Sequence, residues 1–185
     1  MSSGNGRLIV ISAPSGTGKG TVIAKLLDLR PELVMSVSAT TRQPRAGEVD
    51  GVSYHFLSAE LFQGMIDRGE FLEYAEYAGD HYGTPKEPVL RSMDDGRDVL
   101  LEIEVKGARQ VMALVQRSIS IFIVPPDLDE LERRLRGRGT DSEDKLRERL
   151  NIARAELEHK GEYMHVVVND EVARAAEEIL AILDC

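Results

Sequence analysis

The 185-residue chain has a formal net charge of −9 at pH 7, and 42% of its residues are hydrophobic. This length and composition suit a single domain with an ample core. The negative charge argues against a general nucleic-acid or membrane binder, because phosphate backbones and anionic lipids attract basic surfaces. The chain starts without a signal-peptide pattern, contains no apolar run that could cross a bilayer, and has one cysteine, Cys185. We therefore expect a cytoplasmic enzyme.

The first predicted strand, 7–12, leads into a glycine-rich loop and then into a predicted helix over 19–29. Gly16 and Gly18 would let the backbone N–H groups of the loop point at one anion. Lys19 would add a positive charge, and the helix would present the positive end of its dipole. The loop consists of Ala13, Pro14, Ser15, Gly16, Thr17, Gly18, Lys19, Gly20 and Thr21. A phosphate-binding loop is favoured over a glycine-rich turn with an incidental lysine.

This loop departs from the usual pattern G-x-x-x-x-G-K-[ST] at two positions. Ala13 stands where the first glycine is usual. Gly20 stands where a Mg²⁺-binding hydroxyl is usual, and Thr21 follows one residue later.

Residues 35–85 change to short alternating strands with glycine and tyrosine, which predicts a small mixed β insert. Within this insert, Arg42 and Arg45 flank a turn-forming Gln-Pro pair. Two guanidinium groups could converge there on one phosphate. A solvated basic loop is the alternative that the arginines alone would leave open.

Alternating strands and helices resume after the insert. We predict strands over 98–103, 118–124 and 163–168, and helices over 107–116, 127–136 and 170–183, the second capped by Asp127. Glu102 and Glu104 are two residues apart at a strand end and would share a face. The pattern predicts a three-layer α/β fold with a parallel core sheet, which binds ligands at the carboxyl ends of its strands.

Residues 134–158 are rich in charge and mostly helical in pattern, and we interpret them as a lid. Gly137 and Gly139 flank Arg138, and Thr140 with Glu143 would form a capping box for the second lid helix. The predicted single domain thus consists of a core (1–34, 86–133 and 159–185), the insert (35–85) and the lid (134–158).

Several motifs in the same order resemble those of guanylate kinases. The pattern Ser-x-Thr-Thr-Arg-x-Pro-Arg-x-Gly-Glu over 38–48 is similar to their GMP-binding segment. The match continues through Gly51, Tyr54, Phe56, the segment 70–73, Tyr82-Gly83-Thr84, the segment 134–140 and Val168-Asn169-Asp170. The resemblance implies a transferase of purine nucleotide metabolism that phosphorylates GMP, and also dGMP, with ATP.

The resemblance also implies roles for individual residues. The nine loop residues, Arg134, Arg138 and Asn169 would bind ATP. The GMP phosphate would be held by Arg42, Arg45, Tyr54 and Tyr82, and guanine would be read by Ser38, Glu73 and Thr84. Glu102, Glu104 and Arg149 would complete the GMP site. The catalytic residues would be Lys19, Arg42, Arg134, Arg138 and Arg149.

The chemistry of guanine agrees with these roles, because one carboxylate can accept from both N1–H and the 2-amino group. Glu104 and Lys106 replace the usual Asp and Gln of the family. No metal-ligand cluster is evident, so Mg²⁺ should arrive with the nucleotide, with Glu102 and Glu104 as candidate contacts through water. Two alternatives remain: a catalytically silent guanylate-kinase-like module that binds a phosphorylated protein segment, and a kinase for another small phosphate such as a sugar phosphate.

Overall fold

The computed structural model describes residues 6–77, 79–137 and 142–185. The strands are β1 (Leu8–Ser12), β2 (Val34–Met35), β3 (Ala39–Thr40), β4 (His55–Phe56), β5 (Phe71–Tyr77), β6 (Asp80–Pro85), β7 (Val99–Glu102), β8 (Ile119–Val124) and β9 (His165–Val168). The helices are α1 (Lys19–Leu29), α2 (Ala59–Asp67), α3 (Lys86–Asp94), α4 (Val105–Leu114), α5 (Leu128–Gly137), α6 (Glu143–Leu157) and α7 (Val172–Leu183). Within these ranges, no helix is long and apolar enough to cross a membrane.

The core sheet has the strand order β2-β7-β1-β8-β9, and its pairs β2–β7 and β8–β9 are parallel. All five residues of β1 are buried, as are five of the six in β8. Burial of this kind explains why these strands have continuous apolar sequences rather than alternating ones. The predicted α/β fold with a parallel core sheet is confirmed, with β2 as an additional strand.

The insert forms a second sheet in the order β4-β3-β6-β5. It is mixed, because β3 pairs in parallel with β4 and antiparallel with β6. Its apolar side is covered by α2, a helix that the sequence analysis did not predict. The Phe62 ring of α2 stacks on Phe71 of β5 with 4.5 Å between centroids, and Ser58 caps the helix by accepting from Leu61 N–H.

The described residues divide into two compact units. The insert unit comprises the chain up to Val10 together with Leu33–Ser118, and the loop unit comprises Ile11–Glu32 and Ile119–Cys185. The first contains the insert sheet with α2, α3 and α4, and the second contains the phosphate loop, the predicted lid and α7. The division into core, insert and lid made from the sequence stays a prediction.

Helices α5 and α6 lie in the loop unit and pack on a shared apolar cluster of Leu131, Leu135, Leu146, Leu150 and Ala153. Asp127 caps α5 as predicted, accepting from Glu130 N–H at 2.7 Å. The predicted capping box of α6 is wrong in its register. Ser142 is the cap and Glu143 is the first helical residue, since the Ser142 hydroxyl accepts from Lys145 N–H. Arg138, Gly139 and Thr140 lie outside the described residues.

Candidate active site

The phosphate loop has the backbone conformation that its glycines predicted. Gly16 and Gly18 both have φ of 90°, in the left-handed region that side chains other than glycine rarely adopt. Gly18 caps α1, and its carbonyl accepts from the N–H groups of Thr21 and Val22. Lys19 is the first residue of the helix and is partly exposed, while Gly20 and Thr21 are exposed in the first turn. The loop therefore presents a helix N-terminus and a lysine together, as an anion site requires.

Two side chains from distant parts of the loop unit hold the loop through the Thr17 carbonyl. Asn169 Nδ2 donates to that oxygen at 2.7 Å, and Arg134 Nη1 donates to it at 3.0 Å. Arg134 Nη2 also donates to the Asn169 carbonyl at 2.9 Å. A Cβ added to Gly18 would lie 2.8 Å from Asn169 Nδ2. The predicted ATP-binding residues Arg134 and Asn169 thus contact the loop and fix its backbone.

Glu130 orients Arg134 from within the same helix. Its carboxylate accepts from Arg134 Nε at 2.7 Å and from Arg133 at 2.7 Å. These hydrogen bonds to Arg133 and Arg134 lower the pKa of Glu130 to about 2. The carboxylate is therefore ionised at neutral pH and keeps Arg134 extended toward the loop.

Helix α6 also contacts Ser15 at the tip of the loop. Arg149 Nη2 of α6 donates to the Ser15 hydroxyl at 2.9 Å, and the Ser15 N–H donates to Glu156 at 3.4 Å. Arg149 was predicted to be catalytic and to bind GMP, and the structure places it beside the phosphate loop. The contact of Glu156 with the loop was not predicted, because one carboxylate among the many charged residues of α6 gives no sequence signal for it.

In the insert unit, Arg42 is held by the carboxylate of Glu48, which belongs to the same sequence motif and had no predicted role. Arg42 donates to both oxygens of Glu48, at 2.8 and 3.0 Å, and Arg45 N–H donates to Glu48 at 2.6 Å. Hydrogen bonding to Glu48 raises the pKa of Arg42, and the pKa of Glu48 is lowered in return. The sequence signal for this ion pair was the presence of opposite charges at Arg42 and Glu48, six residues apart in one motif. The Arg45 side chain is exposed, so only Arg42 is fixed in this way.

An aromatic cluster surrounds the Arg42 guanidinium. Its carbon lies 5.5 Å from the Tyr54 ring centroid and 5.9 Å from that of Phe56, and the rings of Tyr54 and Tyr82 meet edge to face at 6.1 Å. Burial raises the pKa of Tyr54, with smaller contributions from the charges of Glu102 and Tyr82. Arg42, Tyr54 and Tyr82 therefore lie together, and their role in holding one phosphate stays a prediction.

Glu73 is a buried carboxylate in the insert unit. Glu73 is only 5% exposed, and its Oε1 accepts from the Thr84 hydroxyl at 2.7 Å. Burial raises the pKa of Glu73, and the hydrogen bonds from Thr84 partly offset that effect. Ser38 is half-buried immediately before β3, where its carbonyl accepts from His55 N–H. The predicted pair Glu73 and Thr84 is thus brought into direct contact.

The two acidic residues predicted to share a strand face do not lie on the same element. Strand β7 ends at Glu102, and Glu104 is the N-cap residue of α4, which begins two residues earlier than predicted. Glu102 is half-buried, while Glu104 and Lys106 are exposed. Among the described residues, no group of three or more histidine, cysteine, aspartate or glutamate side chains could hold a metal ion.

A glycine-rich anion loop at the start of α1, beside an arginine-bearing helix pair, defines a phosphate-loop protein of the α/β class. The accompanying mixed sheet with its arginine, tyrosines and buried carboxylate narrows that class to kinases of small phosphorylated molecules.

Comparison with known proteins identifies the family. A family model described as guanylate kinase matches residues 5–184. The chain is 51% identical over 178 residues to a guanylate kinase of Synechococcus sp. (strain JA-3-3Ab), covering 96% of this chain and 82% of that protein. It is 49% identical over 183 residues to one of Desulfitobacterium hafniense (strain Y51), covering 99% and 92%. A crystal structure of guanylate kinase from Anaplasma phagocytophilum matches with a TM-score of 0.80 at 35% identity, covering 98% of this chain and 86% of that one. The chain therefore belongs to the guanylate kinase family.

Proposed function

We propose that this protein catalyses the reversible transfer of the γ-phosphoryl group from ATP to GMP, giving ADP and GDP. The observation that carries the proposal is the buried Glu73 carboxylate, hydrogen-bonded to Thr84 in the insert. An ionised carboxylate can accept both adjacent guanine donors, N1–H and the 2-amino group. The Ser38 hydroxyl is proposed to donate to O6. The names of the matched relatives support the same substrate.

The GMP phosphate is proposed to bind at Arg42, Arg45, Tyr54 and Tyr82. Arg42 is already oriented by Glu48 and enclosed by the aromatic rings. A phosphate arriving there adds to, or replaces, the bond to Glu48, because a guanidinium can bind carboxylate and phosphate with the same fork geometry. The insert thus contains both groups that suit a phosphate and a carboxylate that suits guanine. This combination favours GMP over a sugar phosphate, which has no base for Glu73 to bind.

ATP is proposed to bind the phosphate loop through its backbone N–H groups and Lys19. Arg134 and Asn169 keep the loop in shape through the Thr17 carbonyl. Arg149, which already reaches Ser15, and Arg138 are proposed to neutralise charge on the transferring phosphoryl group. The GMP phosphate oxygen then attacks the γ-phosphorus in line, with no covalent enzyme intermediate.

Mg²⁺ is proposed to accompany ATP, where it would neutralise charge on the β- and γ-phosphates. Gly20 supplies no hydroxyl, and the protein contacts that we propose for the ion are the carboxylates of Glu102 and Glu104. Such hard oxygen donors suit a Mg²⁺ ion that keeps most of its waters and its phosphate ligands. Glu102 and Glu104 would hold it through water.

One assay tests the proposed function. ADP formation from ATP is followed with GMP, with AMP and with no acceptor. The proposal expects rapid ADP formation with GMP only. Equal rates with and without an acceptor would indicate an ATPase. No turnover with any acceptor, together with retained binding of a phosphorylated peptide, would instead favour the silent binding module.

A further inference from the structure

The Glu73 carboxylate lies directly against the backbone of α4 at Gly107. A Cβ added to Gly107 would lie 2.2 Å from Glu73 Oε2 and 2.9 Å from its Cδ, whereas real Cβ atoms stay at least 3.0 Å from other atoms. Gly107 is buried in the first turn of the helix, and its φ is not in the left-handed region. Glycine is thus not needed there for backbone conformation. A side chain at position 107 would instead prevent the close approach of the Glu73 carboxylate.

One turn further along α4, Gln110 holds the strand that carries Glu73. Its side-chain amide nitrogen Nε2 donates to the Tyr74 carbonyl at 2.9 Å. Its Oε1 accepts from the Tyr74 N–H at 3.3 Å. Both polar groups of the residue next to Glu73 are therefore bound by one side chain. Residues three apart lie on the same face of a helix, so Gly107 and Gln110 both face β5. Gly107 lies against the Glu73 side chain, and Gln110 binds the backbone of Tyr74.

Thr84 completes this arrangement from the neighbouring strand. Its hydroxyl donates to Oε1 at 2.7 Å, while Oε2 is the oxygen that faces Gly107. Strand β5 has a register shift between Phe71 and Glu73, and Glu73 is the first residue of the regular pairing that follows it, opposite Thr84. The hydrogen bonds from Gln110 of α4 add a second constraint at this end of the regular pairing.

We propose that Gly107 and Gln110 are positioning residues for Glu73, and that Gly107 determines base specificity by leaving room for the carboxylate that reads guanine. This inference rests on the proposed function, in which Glu73 accepts from guanine.

A side chain at position 107 would displace the Glu73 carboxylate, because the atoms nearest the added Cβ all belong to the Glu73 side chain. The obstructing atoms are the end of a flexible side chain, so Gly107→Ala can be accommodated when the carboxylate shifts by about 1 Å. The fold is then retained, and alanine is favoured over glycine in helices. A misplacement of about 1 Å at a reactive or binding group can lower rates by roughly 100-fold. The cost should therefore appear in GMP recognition rather than in folding.

The experiment compares Gly107→Ala with Gly161→Ala, which makes the same chemical change at a glycine with nothing within 4 Å of the added Cβ. Thermal unfolding and kcat/KM with GMP and with AMP are measured for both variants and the parent. Gly107→Ala should lower kcat/KM for GMP by about 10-fold to 100-fold and change that for AMP by less than about 3-fold. Gly161→Ala should match the parent. A folded Gly107→Ala enzyme with the parent's preference for GMP overturns the inference.

A double-mutant cycle with Glu73→Gln shows whether Gly107 acts through Glu73. Once Gly107→Ala has displaced the carboxylate, Glu73→Gln should cost much less than it does in the parent. Additive losses would overturn the inference, because they would mean that Gly107 acts elsewhere. If the parent itself shows no preference for GMP, the proposed function fails, and the two failures are thereby distinguished.

Gln110→Ala keeps the inference testable if Gly107→Ala does not fold. It should raise KM for GMP by about 5-fold to 10-fold with kcat nearly unchanged, since it removes hydrogen bonds that only orient Glu73. The exposed Gln116, just beyond α4, provides the control variant Gln116→Ala, which should match the parent. An unchanged KM in Gln110→Ala would contradict the positioning role.

Discussion

Replacing Arg134 by alanine should loosen the phosphate loop, because this one side chain joins helix α5 to two backbone carbonyls. It donates to the carbonyls of Thr17 and Asn169 at 3.0 and 2.9 Å, and its side chain is 21% exposed. The Thr17 carbonyl would keep its bond from Asn169 Nδ2 at 2.7 Å. The Asn169 carbonyl would lose its bond from Arg134.

The magnitude follows from these contacts. A hydrogen bond to a charged group contributes about 1.5–3 kcal/mol, and one of the two carbonyls keeps a partner, so we expect a loss of about 2 kcal/mol. For a domain of this size, that corresponds to a fall in Tm of roughly 4–8 °C. KM for ATP should rise by about 10-fold or more, since the loop that holds the phosphates is no longer fixed.

Arg133 offers a matched control in the same helix. It shares the Glu130 partner of Arg134, but its side chain is 73% exposed. Arg133→Ala should therefore cost at most about 1 kcal/mol and leave KM for ATP unchanged. Arg134→Lys should fall between the two, because one ammonium group cannot reproduce the guanidinium fork. Equal effects of Arg133→Ala and Arg134→Ala on Tm and KM would refute this reasoning.

Lys19→Met should abolish most turnover without unfolding the protein, and a folded variant with near-normal kcat in the coupled assay would disprove the phosphate-loop role. Arg149→Ala should lower kcat by at least about 100-fold, within the range known for arginines that meet the transition state. If steady-state kinetics show only a higher KM, Arg149 binds the ground state. Gly20→Ser should be tolerated, because Gly20 has a helical backbone, and should lower KM for MgATP by supplying a hydroxyl for Mg²⁺. A large loss of activity in Gly20→Ser would mean that the loop requires the absence of a side chain there.

The elements that were predicted well are those whose local pattern matches their final surroundings. Helix α1 has the predicted bounds because a positive-φ glycine starts it and apolar residues then recur with helical spacing. The buried strands β1 and β8 were equally clear from their apolar runs. Helix α2 was missed although Ser58 and the spacing of Phe62, Met65 and Ile66 indicated it, because the surrounding insert was interpreted from its strands.

Other features depend on contacts between distant residues, and no local pattern records them. Strand β2 has only two residues and is defined by its pairing with β7. The resemblance predicted Glu73 as a base reader. Its close approach to Gly107, 34 positions later in the chain, could be seen only in the folded protein. The same holds for the bonds that Asn169 and Arg134 make to Thr17.

The most direct test of the account is the choice between GMP and AMP by the parent enzyme and by Glu73→Gln. Adenine presents an acceptor at N1 where guanine presents a donor, so an ionised Glu73 loses a bond and faces a lone pair. Sites built around such buried hydrogen bonds reject the wrong ligand by roughly 10⁴-fold or more. The parent should therefore prefer GMP by that order in kcat/KM. Glu73→Gln keeps one acceptor oxygen and turns an amide N–H₂ toward guanine, so GMP should suffer and the preference should narrow. A Glu73→Gln enzyme that discriminates as sharply as the parent would contradict the assignment of Glu73 as the residue that reads the base.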